Sequence, residues 1–175
     1  MYYITADIET TGLDIYKDVP IQMAYTVHDN ADVLLHEHSF CININRELPA
    51  IITKITGFTK EILTRDGISP ASGMNLWCTV LRKFQPVTLI GYNILNFDLP
   101  MIQNWINAIS TDRFKFPAIC QVIDVMAIVA AKRQSKWMKL GEAATLYDIE
   151  FEVEELHNAM TDIRVTWELY KKIRG

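Results

Sequence analysis

The run VTLIGYN, Val87–Asn93, is short and almost wholly apolar. A strand with that pattern carries apolar side chains on both faces, so both faces must be covered. The rest of the chain supplies what covers it. Tyr2–Ile8, Ile21–His28 and Val33–Asn43 read as strands, and the turn signal HDNAD joins the second and third into an antiparallel hairpin. LPAIITKITGFTKEILTRDG then reads as short helical pieces, with Thr59 capping KEIL and Gly67 ending it. Helices are predicted over Ala71–Phe84, Leu99–Ile109, Asp124–Lys132, Leu140–Tyr147 and Ala159–Ile173, with a further strand near Ala118–Ile123. Hairpin-linked strands followed by alternating strands and helices predict an α/β domain: a central mixed five-stranded sheet flanked by helices on both faces.

At 175 residues, with half of them apolar and 22% charged, the chain is long enough to bury one core and is expected to be a single domain over 1–175. No apolar run approaches the roughly 18 residues that a membrane span needs, so no membrane association is expected. The start, MYYITADIE, has neither a basic leader nor an apolar core, which predicts a cytoplasmic protein. Cys41, Cys78 and Cys120 lack CxxC spacing and read as reduced thiols, not metal ligands. A net charge of −4 argues against a broad cationic surface for duplex DNA. It remains compatible with an acidic, metal-neutralised site that grips a short single strand.

Within YITADIETTGLD, Asp7 and Glu9 lie two apart on a strand and point to the same face. Paired carboxylates repel each other, and solvent or a cation must offset that repulsion. Asp98 is followed at helical spacing by Met101, Ile102, Trp105 and Ile109, and Asp162 by Val165, Thr166, Leu169 and Ile173. Each Asp thus begins a core-facing stripe in the first turn of a helix. Taken singly, each is also an ordinary helix-start acid that caps free N–H groups. Taken together, four acids sit at the ends of elements that can converge on one edge of the sheet, where open α/β sheets bind ligands. His157 falls in a loop before its helix, with Asn158 as the cap. A histidine held over acids can serve as a general base.

DIETTG, GYNILNFD and HNAMTD, in that order, resemble the three motifs of the DnaQ-like, DEDDh family of 3′→5′ exonucleases, which have an RNase H-like fold. ITGFTKEIL and KLGEAATLYDIEF resemble that family's loop after the third strand and the helix before its last motif. The resemblance spans essentially the whole chain and implies no appended polymerase module. It implies Asp7, Glu9, Asp98 and Asp162 as metal-binding acids and His157 as the base, since HNAMTD has the histidine-subclass spacing. It implies that Thr10, Thr11, Gly12 and Leu13, together with Thr56, Gly57 and Phe58, face the terminal nucleotide, with Gly12 giving close backbone approach and Leu13 wedging against the base. Asn93 fits the motif asparagine, whereas Tyr92 stands where many members have His. Phe97 reads as a stacking surface or as a core aromatic.

The resemblance further implies two Mg²⁺ or Mn²⁺ ions per site and release of nucleoside 5′-monophosphates from the 3′ end of single-stranded DNA or RNA, DNA being favoured. It leaves room for a replication or repair protein as partner. An oligoribonuclease, a small-substrate phosphoesterase and a non-catalytic RNase H-like binding module are the competing readings. Retention of all five acid and base positions disfavours the last. KRQSKWMK, Lys132–Lys139, is the most basic segment and reads either as a solvated helix end or as a contact for a nucleic-acid backbone.

Overall fold

A computed structural model describes residues 1–110, 116–152 and 157–175. Its sheet has five strands in the order β3-β2-β1-β4-β5. The strands β1 (Tyr2–Thr10), β2 (Pro20–His28) and β3 (Leu34–Cys41) pair antiparallel, while β1, β4 (Val87–Gly91) and β5 (Gln121–Asp124) pair in parallel. The helices are α1 (Ala50–Thr56), α2 (Lys60–Asp66), α3 (Pro70–Lys83), α4 (Asp98–Ile109), α5 (Val125–Arg133), α6 (Leu140–Leu146) and α7 (Ala159–Arg174). The mixed α/β architecture is the one expected. The capping assignments also hold: Thr59 accepts from the Ile62 N–H, and Asn158 from the Met160 N–H.

Strand ends differ from the sequence reading for identifiable reasons. β1 runs on to Thr10 because Ile8 and Glu9 stay in register with Met23 and Gln22. β3 stops at Cys41, since the Asn43 N–H turns away to the Ile68 carbonyl at 2.8 Å. β5 begins at Gln121, where pairing with Thr88 starts.

The alternation of β1 separates two layers. Ile4, Ala6 and Ile8 face a core shared with Trp77 and Leu81 of α3 and with Met101 and Trp105 of α4. On the other face, Val129 of α5, Ala143 of α6 and Leu169 of α7 pack together with Ile90. Leu89 belongs to the first core and Ile90 to the second, which is why β4 has to be apolar throughout. Both helical stripes are buried as expected, Met101, Ile102 and Trp105 on α4 and Val165, Thr166, Leu169 and Ile173 on α7.

β1 also outlasts its parallel neighbour. The β1–β4 ladder ends at Thr5 opposite Ile90, five residues before β1 itself ends at Thr10. Past that point, among the described residues, no strand pairs with the β4-side edge of β1, and its donors need other partners. Among the described residues, no helix is long and apolar enough to cross a membrane.

Candidate active site

Asp7 and Glu9 project from β1 on the α7 side of the sheet, opposite in sense to Ile8. Ala24 pairs with Asp7 across the β1–β2 ladder, and Ala159 and Ile163 of α7 pack directly on it. A larger side chain at position 24 would hold the helix away. Gln22, opposite Glu9, makes the same junction with polar bonds. Its Oε1 accepts from the Ala159 N–H at 3.3 Å, and its Nε2 donates to Ser39 Oγ at 3.1 Å. The first turn of α7 is thereby brought onto the acidic end of β1. One carboxylate oxygen from each of Asp7, Glu9 and Asp162 lies within 4.8 Å of the other two.

Asp98 arrives from the opposite layer, at the start of α4. It is 3% exposed, and its Oδ1 accepts from the Ile8 N–H at 3.2 Å. That amide lies on the edge of β1 that β4 leaves open. The fourth acid therefore stands at the β1–β4 seam, outside the three-oxygen group, while its charge still acts on it.

Burial is the leading cause of raised proton affinity at all four acids. Asp7 is held well above the usual carboxylate range by burial and then by the charges of Asp98, Asp162 and Glu9. Glu9 is pushed up to about 8 by burial, then by Asp162 and Asp98. Burial raises Asp98 to about 7 against the hydrogen bonds it accepts, and raises Asp162 to about 6 against the pull of His157. Asp162 Oδ1 is buried and has no hydrogen-bond partner among the described residues. An oxygen-only donor set with an orphaned carboxylate oxygen and surplus negative charge fits a hard divalent cation.

His157 directly precedes the Asn158 cap with φ of 70°, a left-handed conformation that turns the chain into α7. It is exposed, and with Asp162 and Leu13 it lines a cleft of about 880 Å³. Leu13 is 83% exposed near the start of the loop that follows β1. Behind it the loop is tied together by Asp18. Thr11 Oγ1 donates to Asp18 Oδ1 at 2.7 Å and accepts from the Val19 N–H and the Arg46 guanidinium, while Asp18 Oδ2 accepts from the Asp14 N–H. Thr10 Oγ1 donates to the Gly12 carbonyl at 2.6 Å. The side chains of Thr10 and Thr11 are thus engaged in holding the loop. A Cβ at Gly12 would sit 2.4 Å from Asp18 Oδ2, so a side chain there would displace the carboxylate that ties the loop.

Gly57 ends α1 in the left-handed region, and Thr56 Oγ1 bridges the Ile52 carbonyl and the Phe58 N–H. Thr56, Gly57 and Phe58 do not line the cleft that His157 and Asp162 share. Phe97 is half-buried against the core beneath α4, which favours its reading as a core aromatic. Asn93 lines the cleft in a left-handed conformation, and the Tyr92 hydroxyl donates to the Met138 carbonyl at 2.7 Å.

A fifth carboxylate was not among the sequence candidates. Asp124, 4% exposed at the end of β5, accepts from the Ala127 N–H as the cap of α5 and also from the Asn93 and Leu95 N–H groups at 3.1 and 3.2 Å. It pins the loop that delivers Asp98. Its visible signal was only that of a residue at a strand-to-helix junction.

Known proteins resemble this chain in sequence and in fold. The chain is 27% identical over 162 residues, 91% of its length, to DNA polymerase III PolC-type of Mycoplasma genitalium, of which it spans 10%. It is 22% identical over 176 residues to DNA polymerase III subunit epsilon of Aquifex aeolicus, covering 98% of this chain and 79% of that one. E. coli exonuclease I, including a complex with a dT13 oligonucleotide, superposes with TM-scores of 0.83 to 0.85 at 18% identity, over 99% of this chain and about 40% of that one. The chain therefore spans a small part of the first of these relatives and less than half of exonuclease I. The exonuclease family model matches residues 4–170, from the first strand through most of α7 and across every acid described above, and the chain belongs to that family, the DnaQ-like exonucleases.

Proposed function

We infer that this domain, acting as a unit over residues 1–175, hydrolyses the terminal phosphodiester at the 3′ end of a single strand, DNA in preference to RNA, and releases nucleoside 5′-monophosphates. The observation that carries the reading is the convergence of Asp7, Glu9 and Asp162 within 4.8 Å beside buried Asp98. Hard oxygen donors favour Mg²⁺ or Mn²⁺. Held by Asp7, Glu9, Asp98 and Asp162, two such ions would supply positive charge to both the attacking and the leaving oxygen.

The chain's own residues do the rest. His157, on the open side of the cleft beside Asp162, takes a proton from the attacking water. As the water oxygen bonds to phosphorus, the bond to the upstream 3′-oxygen breaks, and that oxygen takes a proton from solvent to become the new 3′-hydroxyl. Leu13, exposed at the cleft, packs against the terminal base, while Thr10–Gly12, Thr56–Phe58 and Asn93 shape the surface around it. Relatives that are DNA polymerase III components support DNA over RNA and a replication protein as partner.

The test is degradation of 5′-labelled single-stranded DNA, single-stranded RNA and duplex DNA, each with Mg²⁺, Mn²⁺ or chelator. Stepwise shortening of single-stranded DNA that stops with chelator is the expected result. Faster loss of short RNA would move the assignment to an oligoribonuclease. Turnover of simple phosphate esters without shortening of either strand would overturn it.

A further inference from the structure

The cleft that begins at the acids continues away from them to an exposed tryptophan. Leu13, His157 and Asp162 line it together with Tyr92, Met138 and Trp137. Trp137 is 68% exposed, an unusual place for so large an apolar ring. Its position is nonetheless fixed by the residues that follow it. The Tyr92 hydroxyl holds the Met138 carbonyl at 2.7 Å, and the Lys139 N–H donates to Glu142 Oε2 at 3.1 Å. A ring held out in solvent on an anchored segment is preorganised to receive a flat partner.

Charge indicates what kind of partner. Four of the eight residues of Lys132–Lys139 are cationic (Lys132, Arg133, Lys136 and Lys139), on a protein whose net charge is −4. All four are exposed. An exposed indole within a cationic fringe, opening into a cleft that leads to a phosphodiester-cleaving site, suits an unpaired nucleobase with its phosphates along the rim. Glu142 also lines the cleft, but its carboxylate is engaged by the Lys139 N–H.

Leu13, assigned above to the terminal base, lines the same cleft as Trp137, so a strand whose last base packs on Leu13 has room in that cleft for a preceding base. We propose that Trp137 is the stacking platform of a second nucleobase site, which binds a base upstream of the terminal nucleotide, and that Tyr92 holds the platform in place through Met138. The placement upstream rests on the exonuclease reading above. The stacking itself does not.

The experiment places 2-aminopurine at each position in turn along a short single-stranded DNA and titrates it with protein in Ca²⁺, which replaces Mg²⁺ to slow cleavage. Fluorescence should be quenched most strongly at an upstream position. Trp137→Ala should abolish that quenching and weaken binding about 5- to 150-fold, the range expected for one lost base–aromatic stack. Trp137→Phe should restore most of both, and Tyr92→Phe should weaken the quenching. Quenching confined to the terminal base, or unchanged in Trp137→Ala, overturns the proposal. The same proteins are assayed for mononucleotide release in Mg²⁺. Trp137-dependent quenching without release would overturn the exonuclease reading and leave the stacking site standing. Release without such quenching would do the reverse.

Discussion

In metal-free protein, replacing Glu9 by glutamine should stabilise the fold near neutral pH and change little in acid. Glu9 has a carboxyl raised from 4.5 to about 8 by burial and by its acidic neighbours. A carboxyl whose folded value lies above its unfolded one favours the protonated form in the fold. The stability it contributes is complete below 4.5 and is lost as pH climbs toward 8. At about pH 7 the folded chain keeps the proton while the unfolded chain has released it, a handicap of about 3 kcal/mol. Glutamine is neutral throughout and does not carry this handicap. For a domain of this size the difference corresponds to about 6–12 °C in melting temperature. The assay is thermal melting of both proteins in chelator from about pH 4 to about pH 8, repeated with Mn²⁺. The curves should coincide in acid and separate near neutrality, with the variant the more stable. Mn²⁺ should then raise the wild type more than the variant, because binding to the native state adds stability by mass action. Parallel pH profiles in chelator would refute the reasoning, since they would mean that Glu9 is not desolvated among like charges.

Asp7→Ala should abolish hydrolysis while circular dichroism shows the fold intact, and retained activity in the purified variant would remove Asp7 from the site. His157→Ala should reduce turnover by about 10²- to 10⁴-fold, the usual contribution of a general base, yet keep the Mn²⁺-induced rise in melting temperature. Loss of that rise would make His157 a ligand. Asp124→Ala strands the Asn93 and Leu95 amides and removes the α5 cap. Urea unfolding should show a loss of about 3–5 kcal/mol, and a loss under about 1 kcal/mol would mean that the loop finds other acceptors.

Residues whose role follows from spacing were readable in advance. Asp7 and Glu9 share a face because a strand alternates, and Asp98 and Asp162 head buried stripes because a helix repeats every three to four residues. VTLIG signalled a doubly covered strand by composition alone. Residues whose role depends on which elements meet in space were not readable. Gln22 looks like any strand glutamine until α7 lies across it, and Asp124 looks like a cap until the 93–97 loop folds back onto it. Gly12 also packs against the Asp18 carboxylate, a contact that its place in DIETTG does not announce. Such long-range partners leave no periodic trace.

The overhang of β1 beyond β4 has a consequence for how the acids behave as a set. The amide that Asp98 grips belongs to Ile8, the residue that links Asp7 to Glu9 through the backbone. Any shift of the α4 N-terminus is therefore transmitted to the spacing between the first two carboxylates. Loss of Asp98 would frustrate the remaining three as well as subtract one ligand, so double-mutant cycles between Asp98 and either neighbour should be strongly non-additive.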